Sequence, residues 1–457
     1  MIGIENIIFL IVAAIGIGLF VWQVRNIRKN VLMGRDTTLN DNPSERINKT
    51  LLVAFGQQKM FKRMLPAVLH LFVYVGFIVI NVEVLEILID GIFGTHRVLG
   101  FVGPLYSGLM ALNEVLAALV IIACVMFLWR RNVTKVPRLW NGVELRAWPK
   151  LDANIILITE IVLMLALFVF NIADMKRVLL TGGEVVGYYP VSQFFVDVFG
   201  DNPEQLYVIA KVGWWFHIVG ILAFMNYLPS SKHFHIIMAF PNVYYSNLKP
   251  KGKFTTNPAI THEIKAMLDP GYQPPAPEMD AEGNPIIQRF GAKDVEDLTW
   301  KQLMDSYTCT ECGRCTSVCP ANITGKLLSP RKIVMDTRDR MEEKGEHPAI
   351  FAPNHYKELG EERVEVTEEK TLLRGYITPE ELWACTTCNA CVESCPVNID
   401  QLSVIMDLRR YLVLEESAAP ASLNTMFTNI ENNGAPWAFS PADRFNWADE
   451  IYVPSKN

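Results

Sequence analysis

"WACTTCNACVESCPVNID", residues 383–400, holds Cys385, Cys388, Cys391 and Cys395 within eleven positions and sets Pro396 directly behind the last of them. The same C-x2-C-x2-C-x3-C-P run stands upstream at 307–321, "YTCTECGRCTSVCPA", as Cys309, Cys312, Cys315, Cys319 and Pro320. Eight of the nine cysteines therefore belong to two copies of one pattern. The ninth, Cys124, lies in an apolar run and reads as a small core residue.

Three cysteines spaced by two residues turn toward one centre from a single tight loop, and the fourth is carried off with the next helix. This is the ligand run of bacterial [4Fe–4S] proteins, in which the fourth cysteine serves the other cluster. The expected sets are Cys309, Cys312, Cys315 and Cys395 for one cluster, and Cys385, Cys388, Cys391 and Cys319 for the other. Zinc takes four ligands from paired C-x2-C units and leaves half of each run without a task. Disulfides do not suit a reducing cytoplasm.

Outward from the motifs, "LSPRKIVMDTRDRM" (328–341) and "IDQLSVIMDLRRYLVLEE" (399–416) repeat apolar residues every three or four positions behind Ser and Asp starts, which predicts helices. A compact domain is expected over 300–416. Ahead of it, 241–299 reads as a linker, with the breaker-rich "DPGYQPPAPEMDAEGNP" at 269–285.

The first half has another texture. Half of all residues are apolar, and they gather at 7–24, 64–89, 105–129, 155–173 and 207–228, each near the roughly 20 residues a membrane helix needs. Basic residues fill the first loop (Arg25, Arg28, Lys29, Arg35 and others) and the third (Arg130, Arg131, Lys135, Arg138), while the second carries only Arg97. Basic loops stay cytoplasmic. The N-terminus is then outside, and everything after Leu228 is inside, as expected for a multi-pass protein of a bacterial inner membrane. The first apolar run has neither a basic stretch before it nor a cleavage site behind it, so it is expected to remain as a helix. The net charge of −6 adds little. No nucleotide-binding glycine loop follows a strand, and no nucleic-acid partner is expected.

Ionisable groups inside a bilayer are functional until shown otherwise. His70, His217 and His235 lie in or at the ends of spans, and His233 competes with His235 from another face. Two imidazoles on one haem must sit at equal depth. His70 is ~9 Å inside the cytoplasmic end of its span, and His217 and His235 would be ~27 Å apart on an unbroken helix, so His70 pairs with His235. Glu83, Glu114 and Glu160 are the carboxylates set deep enough to serve a quinone; Glu86 is expected to snorkel to water.

The stretch "HIVGILAFMNYLPSSKHFH" (217–235), with "LHLFVYVGFIVINVEVLE" (69–86), resembles the membrane cytochrome b subunits of respiratory nitrate reductase (the gamma chain) and of heterodisulfide reductase. The cysteine domain resembles the two-cluster ferredoxin subunit of heterodisulfide reductases. The first resemblance implies haem b on His70 and His235 and a possible second haem on His217, whose family partner position holds Ile80. The tail "NNGAPWAFSPADRFNWADEIYVP" (432–454) resembles the segment leading into a Cys-Cys-Gly module, which implies a separate Cys-Cys-Gly iron–sulfur subunit docking near Trp437, Arg444 and Trp447.

The expected fold is all-α: a five-transmembrane-helix haem b bundle (1–240), the linker, a cytoplasmic α-helical dicluster ferredoxin domain, and a partner-docking tail (417–457). The expected function is electron transfer between the quinone pool, haem b, two [4Fe–4S] clusters and that partner. The alternatives are a quinone reductase fed by a soluble donor and an iron–sulfur redox sensor or scaffold.

Overall fold

The computed structural model describes residues 3–250, 252–277, 279, 283, 285, 289–345 and 370–451. Part of the expected linker (251, 278, 280–282, 284, 286–288), residues 346–369 of the expected ferredoxin domain and the last six residues of the expected tail lie outside the described residues. Among the described residues there is no strand, only helices and three isolated bridges.

Five helices are long and apolar enough to cross a membrane: α1 (Ile4–Val31), α2 (Met64–Phe93), α3 (Pro104–Asn132), α4 (Trp148–Leu180) and α5 (Pro203–Tyr227), the last extended by a 3₁₀ turn to Ser230. Each runs a few residues beyond its apolar stretch, because polar flanks continue the helix into the interface. Proline at the first turn starts α3, α4 and α5, where its missing N–H costs nothing. Asn202 caps α5 by accepting from the N–H groups of Glu204 and Gln205.

Lipid gives helices no hydrophobic reason to associate, so close packing of small residues must do it. A Cβ on Gly76 of α2 would stand 2.7 Å from Val120 of α3, and one on Gly213 of α5 would stand 3.1 Å from the Phe170 nitrogen of α4. Around these contacts Ile80, Leu116, Val120, Cys124, Leu163, Leu167 and Leu206 form the bundle core. Phe9 and Ala13 of α1 join it through Ile87, Ile218 and Leu222.

The helix of His217 does not continue to His235. The chain breaks after Tyr227 at Leu228-Pro229-Ser230 and makes a second 3₁₀ turn at Lys232–Phe234. It then re-enters a helix, α6 (His235–Tyr244). Pro229 and the Ser231 cap on the His233 N–H account for the break.

By contacts the chain divides into two compact units. The first joins residues 1–254 to 294–405, so the bundle and the helices that flank the first cysteine run, α8 (Trp300–Thr308) and α9 (Pro330–Lys344), belong to one unit. Gly34 lies so close to the start of α8 that a Cβ would meet the Leu298 oxygen and Trp300 nitrogen at 2.8 Å. Arg35 exchanges backbone hydrogen bonds with Leu298 (2.7 Å) and Trp300 (3.0 Å) there. A capping box between Thr299 and Gln302 starts α8, and Ser329 caps α9.

The second unit holds 255–293 and 406–457. Within it α7 (Pro258–Leu268) is capped by Asn257, whose side chain also donates to the Phe290 carbonyl (2.9 Å), and the Ala292 N–H donates to the Asp407 carbonyl at 2.9 Å. Beyond these, a helix at Ala421–Asn433 ends on Gly434 in the left-handed region. Trp437, Phe439, Phe445 and Trp447 follow and are exposed.

Candidate functional site

The two cysteine loops share one backbone device. Glu311 (φ 52°) and Gly313 (φ 67°) flank Cys312 in the left-handed region, and Thr387 (φ 56°) and Asn389 (φ 60°) flank Cys388 in the same way. Alternating left-handed residues curl the loop so that successive cysteines face one side. Gly313 has a second reason to be glycine: a Cβ would lie 2.5 Å from the Arg138 carbonyl.

The loops bring cysteines together across the sequence. Cys309 packs in one buried cluster with Cys395, Val334 and Ile399, and Cys315 lies in electrostatic range of Cys309, Cys312 and Cys395, then of Cys391. Cys391 lies in range of Cys385 and Cys319. Backbone N–H groups reach sulfur at Cys385 (from Thr387, 3.4 Å) and Cys395 (from Ile399, 3.3 Å). Burial pushes the Cys309 thiol up to about 12 and the Cys395 thiol up to about 11, so a thiolate here needs a cation to bind. Among the described residues no three His, Cys, Asp or Glu side chains are arranged to hold a single metal ion. One zinc would draw its thiolates to about 4 Å from one another, whereas a [4Fe–4S] cube takes each on its own iron. Cys388 is the exposed member of the eight.

The first loop is fastened to the bundle. Arg138 donates to the Cys312 carbonyl, Arg314 to the Lys59 carbonyl (3.0 Å), and Arg63 to the Ser317 hydroxyl (2.9 Å). Arg331 of α9, 1% exposed, pairs with Glu144 at 2.8 Å and donates to the carbonyls of Arg138 (2.6 Å) and Asn141 (3.0 Å). The arginines of the basic loops thus contact the cysteine domain directly. Glu311 is buried between Lys232 and Arg338 (2.9 Å). Burial works to raise its carboxyl, but the two cations hold it down at about 2.

Lys232 opens the turn that carries the histidines. The ring centres of His70 and His235 are 6.4 Å apart, with planes inclined by 39°. His235 Nδ1 contacts the Lys232 carbonyl at 2.9 Å, which makes Nδ1 the donor and leaves Nε2 free. His233 stands edge-on to His235 at 5.6 Å, and its Nε2 is 3.8 Å from a Glu160 oxygen. Burial pushes the His233 imidazole down to about 3, with His235 and His70 adding to it, so it stays neutral. His217 is buried, and its Nδ1 donates to the Leu163 carbonyl at 2.8 Å. Ile80 is buried in the core of the bundle.

At the end of the bundle away from the cysteines the carboxylates are engaged by protein. Arg97, the lone basic residue of the second loop, is folded inward: it pairs with Glu83 (3.1 Å), donates to Asn171 (2.7 Å), and lies over the Phe170 and Tyr189 rings. Glu114 accepts from the Val191 and Ser192 N–H groups at 2.9 and 3.0 Å, from the Ser192 hydroxyl, and from Asn171. Glu86 does not snorkel. It is 1% exposed and accepts from the Leu99 N–H and the Tyr106 hydroxyl, both at 2.8 Å. Sequence reasoning missed Arg97's role and the contact of His96 with Asp174 at 3.1 Å. The isolation of Arg97 in an otherwise uncharged loop was the available signal.

Residues 308–399 match the family of 4Fe-4S dicluster domains. The chain is 30% identical over 462 residues to the probable iron-sulfur-binding oxidoreductase FadF of Bacillus subtilis, covering 97% of this chain and 61% of that protein. It is 26% identical over 430 residues to the EtfAB:quinone oxidoreductase of Syntrophomonas wolfei, covering 90% and 55% respectively. A segment of 159 residues is 28% identical to a component of the dihydromethanophenazine:CoB–CoM heterodisulfide reductase of Methanosarcina mazei, 34% of this chain and 35% of that protein. The chain spans somewhat more than half the length of the first two relatives. No solved structure matches it. The region 308–399 is a 4Fe-4S dicluster domain, set behind five candidate membrane helices in a chain whose relatives are iron–sulfur oxidoreductases.

Proposed function

We propose that this chain is the membrane electron-transfer subunit of an oxidoreductase, exchanging electrons between membrane quinone and a cytoplasmic iron–sulfur partner of the Cys-Cys-Gly type. In this reading His70 and His235 hold haem b. Cys309, Cys312, Cys315 and Cys395 hold one [4Fe–4S] cluster, and Cys385, Cys388, Cys391 and Cys319 the other. The observation that carries it is the 6.4 Å separation of the His70 and His235 rings. Two imidazoles bound through nitrogen at about 2 Å from one metal put their ring centres about 6 Å apart.

Haem and cluster iron supply one-electron storage at this junction, and the chain supplies position, spacing and dielectric. The Lys232 carbonyl holds His235 by Nδ1, the second-sphere bond that fixes which nitrogen faces a metal. Through its ammonium the same lysine holds Glu311 between Cys309 and Cys312. One turn thereby sets both the imidazole and the cysteine loop, which fixes the gap between them. His217 offers a free Nε2 for the second haem that the resemblance implies, as the single imidazole there, with Ile80 at the partner position.

The basic loops that contact the cysteine domain support a cytoplasmic position for it and an outside N-terminus, in a bacterial inner membrane. The exposed Trp437 and Trp447 support docking of the Cys-Cys-Gly partner at the tail. The name of the Syntrophomonas relative, EtfAB:quinone oxidoreductase, favours a second reading in which a soluble donor delivers the electrons.

The test is anaerobic purification with counts of haem, iron and acid-labile sulfide. The expected result is b-type absorption with iron and sulfide in the ratio of two [4Fe–4S] clusters. Zinc in place of iron, or the absence of b-type absorption, would overturn the reading.

A further inference from the structure

At the end of the bundle away from the cysteines, α1, α2, α4 and α5 enclose a cleft of about 440 Å³, a size common among small-molecule sites. Phe9, Trp214 and Trp215 form an aromatic wall, with ring centres 5.3–5.9 Å apart. The rim carries exposed Ile4 and half-exposed His96, whose Nε2 meets Asp174 at 3.1 Å. Arg97 lines the cleft, is 6% exposed, and has an Nε–H with no acceptor. The Nε–H of Arg177, also on the lining, has none either. Both Nε atoms are buried beneath the lining, so what the cleft offers a ligand's carbonyl oxygen is the two guanidinium groups on its lining.

We propose that this cleft binds the ring of a membrane quinone and that His96, oriented by Asp174, exchanges its protons. The inference rests on the electron-transfer reading above and adds the site and its side of the membrane. Aromatic side chains, tilted or edge-on to one another, suit a quinone ring, the guanidinium groups on the lining suit its carbonyls, and the exposed apolar rim at Ile4 suits its lipid tail. Asp174 accepts from Nε2–H and so leaves Nδ1 of His96 as the base.

Quinol oxidation, QH2 → Q + 2 e⁻ + 2 H⁺, then breaks the two O–H bonds in turn. Each proton goes to Nδ1 of His96 and from there to the outer water. The two electrons would be taken one at a time by the one-electron iron centres that His70, His235 and the cysteine loops would hold under the proposed function, and quinone reduction would draw on the same groups. Ile87 in the cleft is seventeen residues from His70, about 25 Å along α2. His217, three residues inward of Trp214 on α5, lies between the two levels.

The test uses the purified full-length protein with menadione and menadiol as probes. Menadione should quench tryptophan fluorescence saturably in the wild type, and Phe9→Ala should weaken that binding. In His96→Ala and Asp174→Asn the menadiol-driven reduction of the b-type absorption should slow at least tenfold at saturating menadiol. Binding should be retained, and the dithionite-reduced spectrum should be that of the wild type, which reports the fold. Wild-type rates in both variants, or loss of menadiol reduction in Glu160→Gln alone, would put the quinone elsewhere and overturn the cleft while leaving the electron-transfer reading intact. A wild type reduced by dithionite but not by menadiol would overturn both.

Discussion

The two ends of the bundle, one beside the cysteines and one away from them, both carry buried polar groups and differ in what those groups meet. At the end away from the cysteines Glu83, Glu86 and Glu114 are matched to Arg97, to hydroxyls and to backbone N–H groups. At the end beside the cysteines His70, His233 and His235 cluster ring to ring, with His235 held through Nδ1 by the Lys232 carbonyl and its Nε2 left over. Buried polar groups that satisfy one another are architecture. The imidazole cluster is the part of the bundle that the proposed function assigns to a ligand. At the end away from the cysteines the Nε–H groups of Arg97 and Arg177 and the Asn113 Oδ1 are the buried polar atoms left without a protein partner among the described residues.

The largest effect expected from this contrast lies at the end beside the cysteines. His70→Ala or His235→Ala should each abolish the b-type absorption of that site, whereas Glu114→Gln should leave it; spectra of the purified variants check this. Retention of that signal in either histidine variant would remove the contrast. Next in size, Cys395→Ser should disrupt the cluster of Cys309, Cys312 and Cys315 and spare that of Cys385, Cys388 and Cys391, and Cys319→Ser should do the reverse, as read by low-temperature EPR.

At the end away from the cysteines Arg97→Met leaves Glu83 buried and uncompensated, which should cost about 3–5 kcal/mol of stability, seen as a lowered thermal midpoint with cofactor content unchanged. At the junction, Glu311 has its carboxyl held at about 2 instead of 4.5. Its contribution, about 3 kcal/mol, is present in full above pH 4.5 and is lost as pH falls toward 2. Glu311→Gln should therefore flatten the acid limb of a stability-versus-pH curve. The smallest effect belongs to Lys62 and Glu393, which pair at 2.8 Å with side chains 54% and 41% exposed. Screened by water, Lys62→Ala should cost less than about 1 kcal/mol.

What the sequence made legible was whatever a short window carries. The five membrane helices follow from runs of apolar residues, and both cysteine loops follow from spacing alone. Helix α9 follows from Ser329 and Pro330 at its start. What a window cannot carry is a partner far along the chain. Arg97 looks like an exposed loop charge until Glu83 and Asn171 are seen around it, and His96 meets Asp174 only because the loop after α2 reaches across to α4. Glu86 looks ready to snorkel because the Leu99 N–H and Tyr106 hydroxyl that hold it come from the next turn of the fold. The break at Leu228-Pro229-Ser230, which sets His233 and His235 beside His70, has a local signal in Pro229, but the apolar pattern on either side conceals it.

The central claim is that histidines in the bundle and cysteines beneath it form one conducting route. Its most direct measurement follows, in one anaerobic sample, the b-type absorption and the cluster EPR signal as a quinol analogue is added to wild type and to His235→Ala. The account predicts that both signals reduce together in the wild type and that quinol leaves the clusters oxidised in the variant. Clusters reduced by quinol at the wild-type rate in a protein without b-type absorption would contradict it.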